Sequence, residues 1–213
     1  MPYAKRMNLL RLDHIALAAE NLETGAAHTQ SALGVPLAPG GEHALMGTHN
    51  KLLGLGPTLY FEAIAINPAG VAPDRPRWFN LDAFSGPPRL TNWIVQTDDL
   101  DAALGQLGTG FGQPLSLERG DLRWRMAVPE TGVLPWGGWA PAVIEWKAGR
   151  HPAQRLPDSG LRLQSLRLRH PDALEMAETL GPLMPRDTVL FEPSDTPELI
   201  ARFDGANGTK ILR

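Results

Sequence analysis

RLDHIALAAENL, residues 11–22, returns as RLTNWIVQTDDL, residues 89–100. In the first copy Ile15 and Leu17 alternate with His14, Ala16 and Ala18, and in the second Trp93 and Val95 continue the pattern. This period of two belongs to a strand with two different faces. After each strand comes a helix start. ENLETGAAHTQSAL and DDLDAALGQL each have an early acidic residue and apolar residues at helical spacing, and they run to Gly34 and Gly108. Further strands are expected near GVPLAP, NKLLGL and TLYFEAIAI in the first copy, and near QPLSLE, LRWRMAV and AVIEWK in the second. Each unit then reads strand, helix, strand, strand, strand, and His14 in one stands where Asn92 stands in the other.

A looser third copy, RLQSLRLRHPDAL, begins at Arg162, and its helix HPDALEMAETL runs to Gly181. The copies lie too far apart for a solenoid and suit small modules that share a sheet. The expected fold is α+β: tandem βαβββ modules forming a curved mixed sheet with helices outside, plus a third, shorter module. The boundaries expected are 8–66 for the first module, 67–88 for a lid or linker, 89–148 for the second module, 149–160 for a linker and 161–213 for a degenerate third. The 67–88 segment is punctuated by proline and glycine, yet Trp78, Phe79 and Phe84 give it more aromatic surface than a spacer needs, so it should pack down as a wall. On the third module Ser165, Arg167 and Arg169 share a polar strand face, which suits a flank, a cap or an oligomer surface.

The bulk composition narrows the function. A chain of 213 residues with 43% hydrophobic residues can bury a sizeable core. Its net charge of -3, from 20 basic and 23 acidic residues well mixed along the chain, gives no cationic field for nucleic acid or anionic lipid. The absence of cysteine excludes disulfides, thiolate metal sites and cysteine nucleophiles. No apolar run approaches the roughly 18 residues of a membrane helix. The stretch MPYAKRMNLLRLDHIAL lacks the apolar run of a signal peptide, so a cytoplasmic location is expected. GTGFG at 108–112 opens no phosphate-binding helix, so no nucleotide cofactor is expected.

The paired modules, the LDHIAL opening and the YFEAI strand resemble the vicinal oxygen chelate superfamily, which includes glyoxalases, extradiol dioxygenases and bleomycin-resistance proteins. Within it, PGGEHALMGTHNKLLGLG followed by TLYFEAI and RPRWFNLD is most similar to the glyoxalase-like domain proteins. The resemblance implies a metal inside the curved sheet, held by the first and last strands of each module. By position these ligands are His14 and Glu62, then Asn92 and Glu145. Asn92 departs from the pattern because an amide oxygen is a weak ligand. The implied metal set is therefore His14, Glu62 and Glu145, with His43 as a replacement imidazole and Glu145 or Glu62 as the group that moves a proton.

One imidazole and two carboxylates suit a single divalent zinc, manganese, iron, nickel or cobalt ion with a position open to substrate oxygen. The resemblance also implies substrate contacts from His43, Thr48, His49, Asn50, Asn92, Trp78 and Phe79, although turn chemistry explains the Gly-Gly loop residues equally well. Lys147, two residues beyond Glu145, offers that carboxylate an ordinary ion-pair partner. Two functions follow. One is a metal-dependent lyase or isomerase working through an enolate-type intermediate, and the other is a metal-free protein that binds or sequesters a small, partly aromatic compound. In both the partner is a small molecule, with a homodimer as an allowed assembly. If the repeat register is right, His14, Glu62, Asn92 and Glu145 converge on one point of one sheet face.

Overall fold

A computed structural model describes residues 9–213; residues 1–8, where part of the reading of the N-terminus falls, lie outside the described residues. The first unit is β1 (Arg11–Ala18), α1 (Leu22–Leu33), β2 (Ala38–His43), β3 (Thr48–Gly54) and β4 (Tyr60–Ile66). The second is β5 (Arg89–Gln96), α2 (Leu100–Leu107), β6 (Gln113–Arg119), β7 (Leu122–Val128) and β8 (Ala142–Ala148). Both read βαβββ, and together they make one eight-stranded mixed sheet in the order β2-β3-β4-β1-β5-β8-β7-β6. β1 pairs antiparallel with β5 at the centre, while β1 with β4 and β5 with β8 are parallel.

The two helices start and stop where their sequences say. Asn21 accepts from the backbone N–H groups of Glu23 and Thr24, and Asp99 accepts from Ala102, so each helix has a capped N-terminus. Gly34 closes α1 at φ 79, a left-handed conformation that glycine adopts without steric cost. Lys51 of β3 reaches Glu23 of α1, and Arg125 of β7 reaches Asp101 of α2, so both helices lie against the same, outer side of the sheet. The other side is left free to form a cleft.

The Gly-Gly segment read as a turn is in fact strand, and this corrects the placement of the first module's second strand. β2 runs through Gly40 and Gly41, and GVPLAP lies mostly before it. The glycines serve close approach rather than a turn. A Cβ on Gly40 would fall 2.1 Å from Asn50 Oδ1, and one on Gly41 would fall 2.7 Å from Arg119 Cδ. Because Arg119 ends β6, these contacts show the sheet curling until its two edge strands meet.

Residues 162–212 form a separate sheet from β9 (Arg162–His170), β10 (Leu190–Pro193), β11 (Glu198–Gly205) and β12 (Gly208–Leu212), with α3 (Ala173–Leu180) after β9. Its order is β10-β9-β11-β12, with β10 parallel to β9 and directly beside it, so its connectivity differs from that of the first two units. It covers the outer side of the large sheet, where Trp93 of β5 meets Phe191 at 6.3 Å and Trp136 Nε1 donates to Glu175. Arg167 and Arg169 pair with Glu192 and Glu198 on its wet face, exposed contacts that contribute little, about 0–1 kcal/mol. Among the described residues no helix is long and apolar enough to cross a membrane.

The segment between the two units packs down. Trp78 and Phe79 are stacked at 5.3 Å and buried. Phe79 and Asn80 hold left-handed φ values of 60° and 53°, which cost roughly 1–2 kcal/mol each in a residue with a side chain. The Asn80 N–H donates to the Gly132 carbonyl at 3.0 Å, so the turn is pinned to the second unit.

Candidate functional site

The concave side of the sheet carries a chain of buried polar groups that begins at Asp13. Asp13 is fully buried, with His14 Nδ1 at 2.6 Å from Oδ1. Its Oδ2 accepts from Trp146 Nε1 at 2.9 Å and meets His151 Nε2 at 2.9 Å. His151 Nδ1 accepts from the Ala153 backbone N–H, so its proton lies on Nε2, facing the carboxylate. On its other side His14 Nε2 lies 3.5 Å from Glu62 Oε2, and the imidazole stacks on Tyr60 at 4.4 Å.

Glu62 passes the chain to the first unit's outer strands. Asn50 Nδ2 donates to Glu62 Oε1 at 2.5 Å and sits 3.4 Å from His43 Nε2. His43 Nδ1 bonds Thr48 Oγ1 at 3.0 Å. Arg119 closes the chain from the second unit, its Nη1 3.3 Å from His43 Nε2 and 3.2 Å from Asn50 Oδ1. Asn50 Oδ1 also accepts from the Gly41 N–H at 2.8 Å, which fixes the amide's orientation.

The charges follow from these contacts. Burial opposes a charged His14, but Asp13 and Glu62 at its two nitrogens outweigh burial and raise its pKa to about 9. Burial likewise opposes ionised Glu62, yet His14 and Asn50 hold it down at about 2. For His43 burial prevails, with the Arg119 charge adding to it, and its pKa falls to about 4, leaving a neutral ring whose Nε2 lone pair faces Arg119. The site thus holds an imidazolium between two carboxylates and a guanidinium resting on two neutral acceptors.

His14, Glu62, Asn50, His43, Trp78 and Phe79 all line one cavity of about 30 Å³, together with Tyr60, Arg119, Trp124, Met126, Ile144 and Trp146. Thr48 touches it only through His43. Asn92 shares a row with Ala16 and Glu62, buried at 2% exposure, with an Oδ1 that finds no hydrogen-bond partner. His49 points the other way, on the face that Lys51 uses to reach α1, so it is not brought to the cavity.

Glu145 is the larger correction. Its neighbours Ile144 and Trp146 line the cavity, so Glu145 faces the outer side, where Lys147 Nζ lies at 2.5 Å and Arg125 Nη1 at 3.3 Å. The pairing explains why. Ala16 of β1 pairs with Glu62, and Ile94, which holds the same place in the second copy, pairs with Ala142. The residue equivalent to Glu62 is therefore Ala142, and taking Glu145 as the counterpart of Glu62 slips the strand by three residues, which inverts its faces. Glu145→Gln should cost about 1–2 kcal/mol in a denaturant titration by weakening the pair with Lys147 and Arg125, and should leave ligand affinity unchanged. A large loss of affinity in folded Glu145→Gln protein would contradict this placement.

These residues do not fit the divalent metal that the superfamily implies. The second unit supplies Ala142 and Asn92 where ligands are needed, and the cationic Arg119 occupies the approach to His43. Among the described residues no three His, Cys, Asp or Glu side chains are grouped to hold an ion. Asp13, Arg119, His151, Trp124 and Trp146 are not among the site residues expected from the sequence. The adjacency of Asp13 to His14 was the one available signal, because the others depend on the curl of the sheet.

Comparison with solved structures gives a fold match to a hypothetical protein from Staphylococcus aureus at 14% identity, covering 89% of this chain and 88% of that one with a TM-score of 0.62. Methylmalonyl-CoA epimerase from Mycobacterium tuberculosis matches at 18% identity over 69% of this chain and 94% of that one, TM-score 0.45. An extradiol ring-cleaving dioxygenase from B. fuscum matches at 13% identity over 85% of this chain and 46% of that one, TM-score 0.42. Comparison with curated protein sequences returns no match. The glyoxalase-like domain family matches residues 12–184, the paired modules and the start of the third. With that match over most of its length and with paired βαβββ units in one curled sheet, the chain belongs to the glyoxalase-like domain family of the vicinal oxygen chelate superfamily.

Proposed function

We propose that this chain binds a small oxygenated organic anion in the concave cleft, with Arg119 rather than a metal ion taking the anionic oxygen. The observation that carries this reading is the position of Arg119. Its guanidinium stands at the end of the polar chain, rests on neutral His43 and Asn50, and makes no ion pair among the described residues. A guanidinium offers a carboxylate two parallel donors, and a partly buried one without an anion gains most from receiving it. Trp78, Phe79, Trp124 and Trp146 wall the small cavity behind Arg119 and keep the charge in a low-dielectric setting, where an arriving anion is held more strongly.

The same charges favour binding over proton transfer. A general base near neutral pH works best with a pKa near that pH. Glu62, near 2, is too weak a base, and His14, near 9, is already protonated. The metal-dependent lyase or isomerase reading needs a third ligand, and Glu145 does not supply it.

A thermal-shift screen of organic acids and their neutral amides, run with a chelator present, tests the reading. A ligand at 100 times its Kd stabilises by about 2.7 kcal/mol, a shift of several degrees. Acids should give such shifts, amides should not, and Arg119→Gln should abolish them. Shifts that need added divalent metal, or that amides match, would contradict it.

A further inference from the structure

Arg119 lines two spaces at once. Behind it is the buried cavity of about 30 Å³, which has room for about two water molecules. In front of it, where the curled sheet's edges meet, is an open groove of about 580 Å³. Only the second has the size of a metabolite site. The groove's walls are mostly apolar, from Pro39, Leu52, Leu122, Pro152, Leu156 and Pro157, with Leu156 packed against Leu52. Its other two charged residues cancel, because Arg155 and Asp121 form a two-pronged pair at 2.7 and 2.6 Å. Arg119 is therefore the one charge lining the groove without an opposite partner among the described residues, and it lies at the inner end. Gly41 leaves the room that the Arg119 side chain fills there, since a Cβ on Gly41 would fall 2.7 Å from Arg119 Cδ.

Resting on the reading that Arg119 receives an anion, we infer that the ligand is an amphiphilic monocarboxylate whose apolar body lies in the groove bordered by β2, Leu52, the 119–122 turn and the 152–157 segment. Its carboxylate meets Arg119 at the groove's inner end, and it enters from this edge rather than past Trp78 and Phe79. The charge complementarity is specific: one cation, at one end of an apolar trough, selects one anion at one end of an apolar molecule.

Titration calorimetry of the full chain with octanoate, 1-octanol and acetate, all with a chelator present, tests this. Octanoate should bind at least about tenfold more tightly than either control, because charge-assisted hydrogen bonds and several buried methylenes each contribute that much. Arg119→Gln should lower octanoate affinity to that of octanol. Leu156→Trp, which fills the groove without touching Arg119, should weaken octanoate at least tenfold and leave acetate unchanged; if it does not fold, Pro39→Trp fills the groove from β2. Equal binding of octanoate and acetate, or octanoate binding unaffected by a folded groove-filling variant, overturns the groove while leaving anion capture by Arg119 standing. Equal binding of octanoate and octanol overturns both. No octanoate binding to the wild-type chain overturns the inference.

Discussion

Asp13→Ala is expected to remove about 3–5 kcal/mol of folding stability. The carboxylate is fully buried and serves donors from three places: His14 beside it, Trp146 on β8 and His151 in the segment after β8. Alanine would leave an imidazolium, an indole N–H and a second imidazole facing a void, each a buried donor without an acceptor. Asp13→Asn keeps one acceptor oxygen and should fall between alanine and wild type. Urea unfolding at neutral pH measures both. A loss below about 1 kcal/mol for the alanine variant would show that the three donors find water or other acceptors, and that the network is not a structural anchor.

Gly40→Ala should be nearly as damaging, at about 3 kcal/mol, the upper range for overpacking. The added methyl would lie 2.1 Å from Asn50 Oδ1 and 2.4 Å from the Asn50 carbonyl oxygen. The second contact is with a neighbouring strand's backbone, which moves only if β2 leaves β3. Asn50 would shift with it, and Asn50 is the link between Glu62 and Arg119. Stability and ligand affinity should therefore fall together. A folded Gly40→Ala protein with wild-type affinity would show that β2 does not approach Asn50 this closely.

Most of the architecture could be read from the chain. Alternation in RLDHIALA and RLTNWIVQ, the early acidic residues and helical spacing of ENLETGAAHTQSAL and DDLDAALGQL, and the stop at Gly34 are local signals, and each corresponds to an observed element. What local pattern could not give was register on the far strands. AVIEWK is buried on both faces over most of its length, so hydrophobicity does not mark which side faces the cleft, and the position carried over from the resemblance puts Glu145 on the wrong one. The Gly-Gly pair was ambiguous for a related reason: glycine marks both turns and close approaches, and the approaching groups, Asn50 and Arg119, come from other strands. Arg119 stands at the end of an ordinary amphipathic strand, QPLSLER, with nothing local to separate it from a solvated arginine. Its role exists only because the sheet curls until β6 meets β2. His14 and Glu62 came together through the family resemblance, and parallel β1 and β4 place them in adjacent rows on one face.

The central claim is that the cleft takes its positive charge from side chains. The most direct test is metal stoichiometry by mass spectrometry on protein purified without chelators, incubated with zinc, manganese, iron, nickel or cobalt and then desalted. Far less than one ion per chain is expected for every metal, with no difference between wild type and His14→Ala. Close to one ion per chain in the wild type, lost in folded His14→Ala and Glu62→Ala proteins, would contradict it.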